Sequence, residues 1–375
     1  MLNQYIDRGN KQKNWGRFVI FILLKTVTEM LTYNNPVYED YFADPFVWEY
    51  QGVYYAIGTG PAEAEGMIDE VAPVVGIDST KLRVFPLLRS FDLVNWHFVD
   101  NALLRPDPAL GDNFWAPEVT YYDGKFYLYY SVGHEDKNHQ LRVAVSDHPV
   151  GPYQDTGKPL VDPQSCSFAI DPHPFRDDDG QWYLFYARDF LDTEGGVRAG
   201  TALVVDRLEE MTKLSGDGKV VLRARSDWQR FLANRLMYGE IFDWHTLEGP
   251  CVRKHEGRYY CFYSGGRWET ENYGVDYGVA DNVMGPYSDA GNETGPRVLR
   301  SVPGYVMGPG HNSIVLAPDG ETEYIVYHAW PKNMAARQMY LDKLIWTADG
   351  PSCNGPTWTP QTIDTKTGGR RGNDD

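Results

Sequence analysis

Cysteine is scarce: the 375 residues hold only Cys166, Cys251, Cys261 and Cys353, and no two form a C-x-x-C pair. This argues against a disulfide-stapled miniature scaffold or a thiolate zinc site and leaves buried free thiols as the expectation for each. Positive charge is short as well. Lys and Arg number 35 against 52 Asp and Glu, a net charge of −17, so nucleic acid and anionic membranes are poor partners, because a polyanion would be repelled. Long hydrophobic runs are also lacking. The one candidate, "FVIFILL" between Arg17 and Lys25, is too short to span a bilayer and has no small-residue cleavage site after it. The chain therefore reads as cytoplasmic, with secretion as the alternative.

What the sequence has in quantity is aromatic and turn-forming residues. Tyr 26, Trp 11 and Phe 16 accompany Gly 37 and Pro 24, a composition for many short strands with tight turns. Five phrases repeat one plan: "ADPFVWEYQGVYYAIGTG" from 43, "APEVTYYDGKFYLYYSVG" from 116, "AIDPHPFRDDDGQWYLFY" from 169, "EGPCVRKHEGRYYCFYSGG" from 248 and "HNSIVLAPDGETEYIVYHAW" from 311. Each is a polar leader, a strand, an X-Gly turn and a Tyr-rich strand. Such turns between alternating apolar runs are the strongest local hairpin signal. The second halves of the repeats supply two further strands each, and "D-x-x-x-GPY" recurs at Asp147 and Asp281. Repeats of this length with four strands each predict an all-β fold, a five-bladed β-propeller with four antiparallel strands per blade. Residues 36–360 form this single catalytic domain. Residues 1–35 read as an N-terminal extension outside the native fold and 361–375 as a disordered tail.

In a propeller the starts of the innermost strands converge on one mouth of the axial channel. The polar leaders Asp44, Glu118, Asp171, Glu248 and His311 would meet there, at equivalent positions of the five blades. Gathered carboxylates raise one another's pKa values, and a pair whose pKa values are pushed apart is what glycoside hydrolysis requires. Trp115, three residues before Glu118, and Phe46 are placed to stack on a sugar ring. Trp244 lies close before Glu248 in "GEIFDWHTLEGP" and is a further substrate contact. The inserts at 61–86 and 223–247 would shape the rim.

"ADP" at 43–45, "WAPE" at 115–118, "IDP" at 170–172, "EGP" at 248–250 and "GHNS" at 310–313 together resemble glycoside hydrolase family 43. The resemblance implies an inverting hydrolase acting on arabinose- or xylose-containing plant oligosaccharides and polysaccharides. It implies Asp44 as general base, Glu248 as general acid and Asp171 as the third carboxylate that orients the acid and keeps it protonated. Arg337 matches an arginine that reaches the third carboxylate. His311 matches a histidine near the axis that helps hold a hydrated ion, so a structural Ca²⁺ is expected there; the chemistry itself needs no cofactor. The related fructan-cleaving propellers carry "NDPNG", "RDP" and "EC", from which Ala43, Ile170 and Gly249 depart. The absence of room for a C-terminal sandwich after 360 favours α-L-arabinofuranosidase. The alternatives are a β-D-xylosidase, an endo-arabinanase or galactanase, and, from another class, a non-catalytic carbohydrate-binding propeller.

Overall fold

Gln51-Gly52, Asp123-Gly124 and Glu256-Gly257 turn the chain in two residues. The computed structural model describes residues 30–61, 83–290 and 294–364, and in it both residues of each of these turns have positive φ (54° and 81°, 47° and 79°, 47° and 78°). That geometry matches the twist of the flanking strands. The other two hairpins close through longer turns, between Arg176 and Trp182 and between Leu316 and Glu323. There Asp179 accepts the N–H of Gln181, and Asp319 accepts those of Glu321 and Thr322, local bonds that compete with a tighter turn.

The protein is all-β. Three four-stranded antiparallel sheets are laid out in chain order: Ala43–Tyr50, Val53–Thr59, Arg83–Ser90 and His97–Leu104; Asn113–Tyr122, Lys125–His134, Lys137–Ser146 and Gln154–Pro159; Val306–Leu316, Glu323–Pro331, Gln338–Thr347 and Gly350–Cys353. A nine-stranded sheet lies between the second and the last of these. Its first half is Ala169–Arg176, Trp182–Phe190 and Gly200–Glu210 with Lys219–Leu222, and its second is Glu240–His255, Arg258–Gly265 and Gly274–Ala280. The halves join only where Gly200 and Thr201 run parallel to His245 and Thr246, so the sheet divides into two units. The expected fourth strand of the second half shrinks to bridges such as Val279 with Ser288. Pro286, Pro296 and Pro303 punctuate that stretch and cannot donate to a ladder.

The apolar cores lie between units. Ile57 and Leu87 of the first unit pack with Phe126 and Leu128 of the second, Tyr129 and Val143 with Leu184 and Val204, Phe185 and Leu203 with Val252 and Tyr263, and Phe262 and Val275 with Ile325 and Tyr327. The fifth core returns to the start, setting Val315, Val326 and Leu341 against Val47, Ala56 and Leu88. The two "D-x-x-x-GPY" phrases adopt one structure. Gly151 and Gly285 both have φ of 82°, and the hydroxyls of Tyr153 and Tyr287 reach back to the carbonyls of Pro149 and Val283. All four cysteines are free thiols.

Both expected domain boundaries move outward. Met30–Tyr33 pairs antiparallel with Gln361–Asp364, and Tyr33 and Ile363 are buried in the core that joins the last unit to the first. Residues 30–35 and 361–364 therefore belong to the fold, because this two-stranded strap covers an otherwise open core edge. The rest of the expected extension and tail, 1–29 and 365–375, lies outside the described residues, as does most of the rim insert at 61–86.

Candidate active site

The first strand of every unit is interrupted at the same point. Ladder pairing jumps from Ala43 to Phe46, from Trp115 to Glu118, from Ile170 to His173, from Glu248 to Cys251 and from Gly310 to Ser313. The first residue of each bulge has a left-handed backbone: Asp44 at 51°, Ala116 at 46°, Asp171 at 58°, Gly249 at 56° and His311 at 49°. For residues other than glycine this costs on the order of 1–3 kcal/mol each and persists where surrounding structure enforces it, typically at functional sites. The register corrects the expected equivalence of the five leaders. Asp44, Asp171 and His311 occupy the bulge position itself, Glu248 precedes it by one residue, and Glu118 follows it by two. The strand breaks thus bring buried Asp44, Asp171 and His311 together with the half-buried Glu248.

Asp44 is held as an anion. Its Oδ2 accepts the Thr59 hydroxyl at 2.6 Å, and its Oδ1 lies 3.4 Å from His311 Nδ1 and 3.4 Å from Arg337 Nη1. Burial works to raise its pKa, but the charges of His311 and Arg337 outweigh it and hold the carboxyl well below the usual range. His328 Nδ1 accepts the backbone N–H of Asp44 at 3.1 Å, and burial pushes that imidazole down to about 4, leaving it neutral. His311 is pushed down by burial but raised on balance by Asp44, Asp171 and Glu248, which favour its charged form.

Glu248 is its counterpart. Burial, then the neighbouring Asp171, pushes its carboxyl up to about 7, and its Oε1 accepts the Tyr273 hydroxyl at 2.7 Å. Asp171 is raised to about 6, mainly by burial, while its Oδ2 accepts the Gly249 N–H at 2.9 Å. Two glycines make this possible. A Cβ on Gly249 would lie 3.1 Å from the His311 ring, and one on Gly310 would lie 2.1 Å from the Tyr273 ring.

Arg337 departs from expectation. It pairs with Asp44 and not with Asp171; its Nη2 donates to the Tyr41 hydroxyl at 2.7 Å, and its guanidinium lies 4.3 Å over the Trp268 ring. Trp268 stacks on Trp330 at 5.8 Å and 12°, so an aromatic ledge adjoins the anion. Trp115 is half-buried with one ring face stacked on His139 at 3.8 Å, and Phe168 stands edge-on to the same imidazole. Phe46 stacks on Trp48 within the core between the first two units.

Two expected substrate contacts are engaged elsewhere. Glu118 is buried and bonded to His173 Nδ1 at 2.8 Å, while His173 Nε2 accepts the Val252 N–H. Trp244 is 1% exposed, covered by Tyr238, Phe242 and Arg235. Its hairpin, Arg230–Met237 with the start of Glu240–His255, is tied to other units by Arg235 to Asp136 and by Tyr238 to Asp189. The insert expected at the rim forms a hairpin of its own, and Trp244 is packed beneath it rather than presented to substrate. Tyr273, His328, Thr59 and Tyr41 were not legible as site residues.

Comparison with known proteins gives the family. The family model for glycosyl hydrolases family 43 matches residues 33–351. The chain belongs to glycoside hydrolase family 43. Among curated relatives, the Aspergillus niger beta-D-galactofuranosidase xynD is 30% identical over 84% of this chain and 82% of its own length. The extracellular endo-alpha-(1->5)-L-arabinanase 1 of Bacillus subtilis is 25% identical over 91% of this chain and 99% of its own. The crystal structure of a thermostable family-43 glycoside hydrolase superposes with a TM-score of 0.71 at 28% identity, covering 89% of this chain and 99% of that one. As a family 43 member the protein is an inverting glycoside hydrolase. The hydrated Ca²⁺ expected at His311 would have to draw most of its six to eight oxygen ligands from water, since among the described residues no three His, Cys, Asp or Glu are grouped to hold a metal.

Proposed function

We propose that this family 43 enzyme releases terminal α-L-arabinofuranosyl residues from plant polysaccharides or oligosaccharides by a single inverting displacement. We further propose that its five sheet units are the blades of a closed propeller, a reading supported by the five cores, each shared by consecutive units and the last returning to the first. The observation that carries the function is the division between Asp44, driven far toward the anion, and Glu248, pushed up to about 7. Asp44 takes a proton from the attacking water. Glu248, with Oε1 occupied by Tyr273, delivers a proton from its other oxygen to the departing glycosidic oxygen. Asp171 disfavours the Glu248 anion and so keeps that proton in place. The ledge of Trp268 and Trp330, anchored by Arg337, offers a face for the sugar.

Asp171→Asn tests the third role. Glu248 would lose its negative neighbour, release its proton at lower pH, and the falling basic limb of kcat/KM would move to lower pH. An unmoved limb would remove Asp171 from the mechanism.

Curated relatives also include beta-xylosidases, but a furanoside is favoured because two relatives matched over more than four-fifths of both lengths are named as a galactofuranosidase and an L-arabinanase. β-D-Galactofuranosides present the same five-membered ring and differ in the exocyclic arm, which makes them the second reading. The deciding experiment compares p-nitrophenyl α-L-arabinofuranoside, β-D-galactofuranoside and β-D-xyloside, with Asp44→Ala and Glu248→Ala as controls. Fastest release from the arabinofuranoside supports the proposal; the galactofuranoside or xyloside in first place replaces it.

A further inference from the structure

Tyr305 and Trp358 are 48% and 43% exposed, yet they stack on each other at 4.4 Å and 23°. Both rings sit on fixed backbone. Tyr305 lies in a turn closed by bonds between Val302 and Val306, and Trp358 follows Thr357, whose N–H and hydroxyl are both held by Asp342. Beside Tyr305 runs a groove of about 140 Å³ lined by Glu271, Met307, Pro331, Lys332 and Met334. Val306 and Met307 pair with Pro331 and Trp330, so the groove adjoins the Trp330 end of the aromatic ledge whose other end, Trp268, lies under Arg337. The groove therefore runs between the Trp330 end of the ledge and the Tyr305–Trp358 pair.

We propose that Tyr305 and Trp358 form a distal sugar-binding platform, which holds a stretch of the glycan substrate remote from the bond being cut. The inference rests on the hydrolase reading above and adds polymer engagement to it. Exposed aromatic rings match the apolar face of a sugar, and the Glu271 carboxylate and Lys332 ammonium in the groove match its hydroxyls. A second copy of the chain is a poorer occupant. Two aromatic side chains bury roughly 150–250 Å² each, well short of the roughly 800 Å² per partner of a stable protein interface. Continuity with the catalytic ledge also points to substrate.

The test uses the full chain with Tyr305→Ala, Trp358→Ala, Trp358→Phe and the double alanine variant, with linear arabinan and arabinoxylan as probes. The double alanine variant should lose its retardation in native gels containing the preferred polymer, and its KM on that polymer should rise roughly five- to tenfold. Its kcat/KM on the p-nitrophenyl glycoside should stay unchanged, and Trp358→Phe should keep most of the retardation. Equal retardation of wild type and double variant would overturn the platform, as would a dimer in wild type that becomes a monomer in the variant. Inactivity of wild type on every aryl glycoside would count against the proposed function alone, since polymer retardation reads the platform independently.

Discussion

Asp44→Asn should lower kcat/KM by about 10²–10⁴-fold, and by a similar factor on arabinan, on oligosaccharides and on p-nitrophenyl glycosides. The loss is blind to the leaving group because, in the proposed mechanism, Asp44 acts on the attacking water, which must be deprotonated whatever departs from the other face. In the native protein the carboxylate is surrounded by Thr59, His311 and Arg337, which stabilise its charge without covering its role. An amide in the same place keeps the shape and cannot take the proton. Removing this anion also leaves Arg337 and His311 facing each other without their shared partner, which is destabilising, so thermal melts of the variant should shift downward and rates should be expressed per folded molecule. Azide offers a sharper reading. Asp44→Ala opens space beside the anomeric carbon, and azide needs no base, so it should restore turnover and yield a glycosyl azide of inverted configuration. Substantial aryl-glycoside activity in Asp44→Asn would move the base elsewhere.

The parts of this site that were legible in the sequence are those written locally. X-Gly between Tyr-rich runs marks a hairpin by backbone preference alone, and "ADP", "IDP" and "EGP" set a carboxylate at a strand start beside a proline. What could not be read is whatever depends on pairing across strands. Glu118 and Glu248 look like counterparts of Asp44 in the one-dimensional repeat, but the bulge offsets them in opposite directions, and one becomes a buried partner of His173. The sequence marks Arg337 as a site residue but not which carboxylate it meets, since that partner, Asp44, is chosen by how Gln338–Thr347 lies against Ala43–Tyr50. Tyr273 in "NYGVDY" is one of 26 tyrosines, and nothing nearby marks the one that reaches Glu248. Trp244 illustrates the opposite error: closeness to Glu248 in sequence suggested contact with substrate, while the added hairpin folds back and covers it.

Glu248→Gln should separate substrates where Asp44→Asn does not. On natural linkages, where the departing alkoxide needs a proton, kcat/KM should fall by about 10²–10⁴-fold. On p-nitrophenyl glycosides the leaving phenolate is stable without protonation, and most of the activity should survive. The pH profiles should diverge in the same way. Glu248 must hold its proton to act, and burial with Asp171 pushes its pKa up to about 7, so wild-type kcat/KM should decline as pH rises through that value. Asp44 is held far below the usual carboxylate range and stays ionised, so it should impose no acid limb near neutrality. The glutamine variant, with no proton to lose at this position, should show no basic limb on aryl substrates over the range in which it remains folded. An equal fall on natural and aryl substrates, or a basic limb that persists in the variant, would assign the acid role to another group; Asp171, itself raised to about 6, would be the first to examine.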